Sequence, residues 1–115
     1  MLPKTNRIKK KKDFELIFKN GTSFKNKLFI LRFIKNNSDQ NRFGFIVSQK
    51  VSKKATVRNK TRRRLTEAVK ARRKKIKPGK DFVLIALSGI EKKELSDIRE
   101  ALDDTLVKAK LIIGD

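Results

Sequence analysis

The 115-residue sequence predicts an α+β fold, a single small domain with helices packed on a mostly antiparallel sheet. Three observations lead there. Apolar residues recur at helical spacing in three separate stretches, two intervening stretches are rich in Phe, Ile and Leu, and Phe82 to Leu87 is an unbroken apolar run. The 37% hydrophobic content is enough for one modest core, burying about two-thirds of the unfolded surface.

The first helix is expected from about Phe14 to Lys19, with Asp13 as its cap, Phe14, Ile17 and Phe18 on one face, and Gly21 as its stop. Lys27 to Lys35 and Phe43 to Val47 read as paired strands around the turn cluster Asn36-Asn37-Ser38-Asp39, with room for a further short strand at Thr22 to Lys25. From Val57 the period changes. Val57, Thr61, Leu65, Ala68, Val69 and Ile76 share one helical face, with Thr56 as cap and Pro78-Gly79 as the end. Phe82 to Leu87 is then a strand apolar on both faces, broken by Ser88-Gly89. A last helix carries Leu95, Ile98, Leu102, Leu106 and Ala109 inward and starts near Ser96. The order is α-β-β-(β)-α-β-α, where the bracketed strand is the optional short one.

Charge is the dominant feature of composition. With 32 Lys+Arg against 12 Asp+Glu the chain carries +20, which calls for a polyanionic partner. Residues 1 to 12 hold +6, and are expected to form a flexible basic arm; 13 to 48 hold +3, 49 to 80 hold +14, and 81 to 115 hold −3. The central helix opposes its apolar face with Asn59, Arg63, Thr66 and Lys70, flanked by Arg58, Arg62 and Arg73 on one side and Lys60 and Arg64 on the other. Only Glu67 interrupts the bases, whereas an ordinary solvated face mixes signs, so this face is a nucleic-acid candidate.

Cys and His are absent, which excludes thiol nucleophiles, disulfides, imidazole catalysis and Cys/His zinc sites. Asp13 and Glu15 point to different sides of a helix and Asp103-Asp104 lie in a distal acidic one, so no catalytic or metal-ligating carboxylate pair is expected. No run approaches the roughly 18 apolar residues of a membrane span, nor does a signal peptide precede the domain, so a cytoplasmic protein is expected. Phe14 and Phe18 fit either a core or a stacking surface for unpaired bases. On these residues alone, a structural ribosomal protein or another basic RNA-binding module remains open.

The motifs go further. Val47-Ser48-Gln49-Lys50, the helix run Arg58-Asn59-Lys60-Thr61-Arg62-Arg63, and Phe14, Ile17, Phe18 and Gly21 in an F-x-x-I-F-x-x-G pattern resemble the bacterial ribonuclease P protein subunit family. The resemblance runs from near Arg7 to the C-terminal helix. It implies the protein half of a ribonucleoprotein that binds a catalytic RNA and the 5′ leader of precursor tRNA, with the RNA carrying the endonucleolytic chemistry and magnesium belonging to the RNA site. No obligate protein partner is implied. By the family pattern Arg58, Asn59, Lys60, Arg62 and Arg63, with Arg64 as a neighbouring cation, would face the RNA subunit. Phe14, Phe18, Phe29, Ser48 and Lys50 would line or border a leader cleft. Two positions depart: Thr66 stands where the family often has Arg or Lys, and Arg32 where it often has an aromatic, so Arg32 would meet a leader phosphate or stack as a guanidinium. The resemblance also implies a left-handed β-α-β crossover, against the general right-handed rule.

Overall fold

The computed structural model describes residues 2–114. Its elements are α1 (Lys11–Asn20), β1 (Thr22–Lys25), β2 (Phe29–Lys35), β3 (Arg42–Ile46), α2 (Ala55–Arg72), β4 (Lys80–Ala86) and α3 (Leu95–Lys108). The four strands form one open sheet in the order β1-β2-β4-β3. β1 with β2 and β2 with β4 are antiparallel, while β3 and β4 are parallel and joined through α2 as a β-α-β unit.

The expected pairing of the second and third strands is therefore corrected: β4 lies between β2 and β3. Phe82, Val83 and Leu84 are all buried, so β4 is covered on both faces and belongs in the middle, bonded on both sides. A β2–β3 hairpin would have left it at an edge. The short strand at Thr22 to Lys25 forms, and it extends the sheet beyond β2.

Alternation along the strands sorts side chains into two layers. Phe29 and Leu31 of β2, Phe43 of β3, and Phe82, Leu84 and Ala86 of β4 pack with Leu65, Ala68 and Val69 of α2 and Ile98, Leu102 and Leu106 of α3. Val83, with Ile34, Ile46 and Ile85 beside it, packs on the other face with Ile8, Phe14 and Ile17. Helix α1 thus covers one face of the sheet and α2 and α3 cover the other.

Helix starts differ from the expected caps. α1 begins after Lys10, so Asp13 lies in its first turn rather than before it; α2 begins after Lys54, with Thr56 inside it. α3 starts after Glu94, whose side chain and that of Asp97 form a reciprocal capping box. Ile76 is buried as expected but lies beyond α2, in a bridge to Ile112. Gly21 ends α1 with φ −75°, so its role is space and not a left-handed turn: a Cβ there would collide with the Ile17 carbonyl and come within 3.0 Å of the Phe33 carbonyl.

The N-terminal segment, expected as a flexible arm, is docked from residue 2 to residue 8. Leu2 and Ile8 are buried, the Ile8 N–H donates to the Phe43 carbonyl at 3.0 Å, and the Asn6 amide donates to the Asn41 carbonyl at 2.7 Å. The segment lies along the outer edge of β3, whose backbone groups would otherwise be unpaired.

Candidate nucleic-acid interface

Helix α2 places the basic motif on its solvent side because Thr61, Leu65, Ala68 and Val69 hold the opposite stripe in the core. Asn59, Lys60, Arg62 and Arg63 are exposed. The Arg62 guanidinium donates to the Asn59 side-chain oxygen at 2.9 Å, which leaves the amide N–H groups of Asn59 outward-capable as donors. Arg58 and Arg64 are held differently. Arg58 donates to the Ser52 and Lys53 carbonyls at 3.0 and 2.9 Å, fixing the loop ahead of α2, and Arg64 donates to the Lys93 carbonyl at 2.7 Å. All six residues lie on one helix, but Lys60 and Arg63 are the members whose side chains make no hydrogen bond or ion pair to the described residues.

The basic front has a limit that the sequence does not reveal. Arg72 forms a two-pronged pair with Asp103 of α3, at 2.6 and 2.8 Å, and this hydrogen bond raises the guanidinium pKa above its ordinary value. Its charge is neutralised locally, so Arg72 adds little to the positive field that the exposed Lys60, Arg62, Arg63 and Lys70 carry along α2.

On the other face of the sheet, α1 presents Phe14 and Phe18. Phe18 is 43% exposed, and with Phe14, Lys9, Lys11 and Ile46 it borders an open hollow of about 410 Å³. The Phe14 ring lies against Gly44 of β3, where a Cβ would come within 2.6 Å of it. Lys9, Lys11 and Ile46 were not among the expected site residues. The basic run before α1 and the two-residue repeat from Gly44 to Ile46 were the signals that could have found them. Ser48 and Lys50 are exposed in the turn that follows β3, where the Ser48 hydroxyl accepts from the Lys50 N–H at 3.3 Å.

Two expected leader residues are placed away from the hollow or engaged within the protein. Phe29 is fully buried, because strand parity points it to the α2 and α3 side, away from α1. Arg32 has the right parity but its guanidinium is engaged: it donates to the Ile17 carbonyl at 3.1 Å, the Phe18 carbonyl at 2.6 Å and the Ser23 hydroxyl at 2.9 Å. It closes the C-terminal end of α1, adding a second donor to the Ile17 carbonyl, which also accepts the Gly21 N–H at 2.8 Å, and supplying one to the Phe18 carbonyl. Arg32 therefore holds the turn that carries Phe18 instead of reaching outward.

A second arginine fixes the start of α1. Arg42 donates to buried Asp81 at 2.8 Å and lies 3.6 Å from Asp13, while Asn36 donates to Asp81 at 2.8 Å. The hydrogen bond to Asp81 is the main cause of a raised Arg42 pKa. A raised guanidinium pKa contributes stability that is fully present below the ordinary arginine value and lost only as pH climbs past the folded one, so this arginine stays charged throughout the neutral range. Among the described residues no group of three or more acidic side chains converges to hold a metal ion. The arrangement can bind phosphates and stack bases.

The family model described as Ribonuclease P matches residues 2–110. The chain belongs to the ribonuclease P family. Among ribonuclease P protein components it is 38% identical to that of Clostridium acetobutylicum over 114 residues, covering 97% of this chain and 95% of the relative. It is 40% identical to that of Clostridium botulinum, covering 92% and 96%. The solved structure of the Staphylococcus aureus ribonuclease P protein superposes with a TM-score of 0.84 at 33% identity, covering 93% and 97%, and that from Thermotoga maritima with 0.80 at 34%, covering 89% and 96%. Ribonuclease P membership establishes RNA binding, a role in tRNA processing and partnership with the ribonuclease P RNA. No described helix is long and apolar enough to cross a membrane.

For a ribonuclease P protein, the contact between Phe14 and Gly44 gives a direct test of the α1 hollow. Gly44→Ala is expected to push the ring off the sheet at a stability cost of about 1 kcal/mol, since the ring end can swing. Binding of single-stranded RNA should fall with it. A thermal melt beside a titration with an unstructured oligoribonucleotide checks both, and unchanged RNA affinity would show that the ring's position is immaterial.

Proposed function

We propose that the chain binds the ribonuclease P RNA through the front of α2 and the unpaired 5′ leader of precursor tRNA through the hollow beside α1, while the RNA performs the phosphodiester hydrolysis. One observation carries this reading: two aromatic side chains and two lysines share an open hollow on the sheet face opposite the basic helix. An RNA strand offers phosphates to Lys9 and Lys11 and base faces to Phe14 and Phe18, and only an unpaired strand can do so. Asp13 and Asp81 are engaged by Arg42 and Asp103 by Arg72, while exposed Glu15 lies 4.0 Å from Lys11 at the rim of the hollow. The protein's contribution is therefore positioning and charge neutralisation, with magnesium held by the RNA. A cytoplasmic ribonucleoprotein with no further obligate protein belongs to the same reading.

The test mixes purified chain, ribonuclease P RNA and precursor tRNA at low magnesium. The chain alone should leave the precursor intact and should stimulate cleavage by the RNA. Phe18→Ala should weaken binding of precursor tRNA by about 1–3 kcal/mol, roughly 5- to 150-fold, while mature tRNA is held almost as before. Being 43% exposed, Phe18 can be truncated without the loss of a core residue, which an unchanged melting temperature would verify. Cleavage by RNA-free chain, or an equal loss for precursor and mature tRNA, refutes the assignment.

A further inference from the structure

A second hollow lies where the N-terminal segment, β3 and α2 meet. It has a volume of about 260 Å³, and its lining includes Leu2, Phe14, Gly44 and Phe45, with Arg7 of the N-terminal segment and Arg62 and Thr66 of α2. Its position matters as much as its lining. The α2 front and the α1 hollow lie on opposite faces of the sheet, and this space sits at the β3 edge between them. Phe14 borders both hollows.

The chemistry of the lining narrows the occupant. The floor is apolar and partly aromatic, Arg62 is exposed and bonds only Asn59 through one N–H group, and the Thr66 hydroxyl donates to the Arg62 carbonyl while its oxygen keeps acceptor capacity. A guanidinium beside an aromatic floor suits a nucleotide, with its phosphate on the cation and its base against the rings. The volume lies near the lower end of the roughly 300–1,000 Å³ of small-molecule sites, room for one base and its sugar and too little for a helix or strand. Base-paired RNA keeps its bases stacked inward, so the occupant must be unpaired.

We propose that this hollow receives one unpaired nucleotide of the RNA strand that passes Phe14, so that Phe14 separates two successive base sites and Thr66 and Arg62 form the far wall of the second. The inference rests on the reading of the α1 hollow as a single-strand site. The short side chain at Thr66 keeps the space open: a longer residue on the same turn of α2 would enter it. Thr66 then sets selectivity for unpaired over paired RNA, although it carries no charge.

The experiment compares the full chain with Thr66→Met and Thr66→Arg, using a short unstructured oligouridylate and a hairpin RNA as probes, with a melting curve for each variant. Both substitutions suit a helix. Each should weaken oligouridylate binding about fivefold or more, while hairpin binding should change by less than about twofold for Thr66→Met and should hold or tighten for Thr66→Arg. The Arg variant gives the sharper sign, since an added cation strengthens any binding that is merely electrostatic. Tighter oligouridylate binding by Thr66→Arg, unchanged binding by Thr66→Met, or equal losses on both probes would each overturn the proposal. Phe18→Ala, run alongside, separates the two failures. If it weakens oligouridylate binding while the Thr66 variants do not, the second base site is wrong and the α1 hollow stands; if it is silent, the α1 hollow itself is wrong.

Discussion

Raising monovalent salt from about 50 to about 200 mM is expected to weaken binding of this chain to ribonuclease P RNA by about 10²- to 10⁴-fold. The magnitude follows from counterion release. Each phosphate neutralised by Lys or Arg releases condensed cations, with a log-log slope of about −0.9 per contact, and the exposed half of α2 with its flanks supports about 4 to 8 contacts. Arg58 and Arg64 still contribute although their guanidinium groups also bond backbone carbonyls, because a carbonyl does not cancel the charge. Arg72 does not, because Asp103 pairs with it. Arg63→Ala should therefore reduce the slope by about one, and Arg72→Ala should leave it nearly unchanged. Titrations at a series of salt concentrations check this, and a flat response for the parent chain would show that binding is not governed by phosphate contacts.

Phe82→Ala is expected to cost about 3–5 kcal/mol of folding stability, a large share of the roughly 5–15 kcal/mol of a typical domain. Phe82 is fully buried in β4, its ring 5.0 Å from that of Phe43 and 5.8 Å from that of Phe33. β4 bonds to β2 on one side and β3 on the other, so the cavity opens at the centre of the sheet and beneath its helical cover. Little relaxation is available there, which places the cost high in the range. Ile113→Ala, at a side chain 55% exposed, should shift stability by less than about 0.5 kcal/mol. Urea unfolding of both variants makes the comparison, and a Phe82→Ala cost below about 1 kcal/mol would mean that the ring is not a central packing element. Both proposed RNA surfaces are mounted on this sheet and should fail together once it unfolds.

By itself the sequence determined the features that depend on near neighbours. The periodicity from Val57 to Val69 placed α2 and turned its bases outward, the apolar run from Phe82 to Leu87 marked a strand covered on both faces, and the motif residues led to the family. Which strands are neighbours was not legible, because a run of apolar residues records that a strand is buried and not beside what. The same reason explains Phe29 and Arg32. Both looked available for the leader, but strand parity in the assembled sheet sends Phe29 to the covered side, and Arg32 finds its acceptors fifteen residues back at Ile17 and fourteen back at Phe18. The pairs of Arg42 with Asp81 and Arg72 with Asp103 span 39 and 31 residues. Composition counts such charges as exposed and additive, whereas only the tertiary structure decides which of them meet a carboxylate. That decision leaves Lys60, Arg62 and Arg63 outward, docks the N-terminal segment on β3, and brings Phe14, Gly44 and Thr66 to one edge of the sheet, because long-range packing satisfies groups that local pattern leaves open.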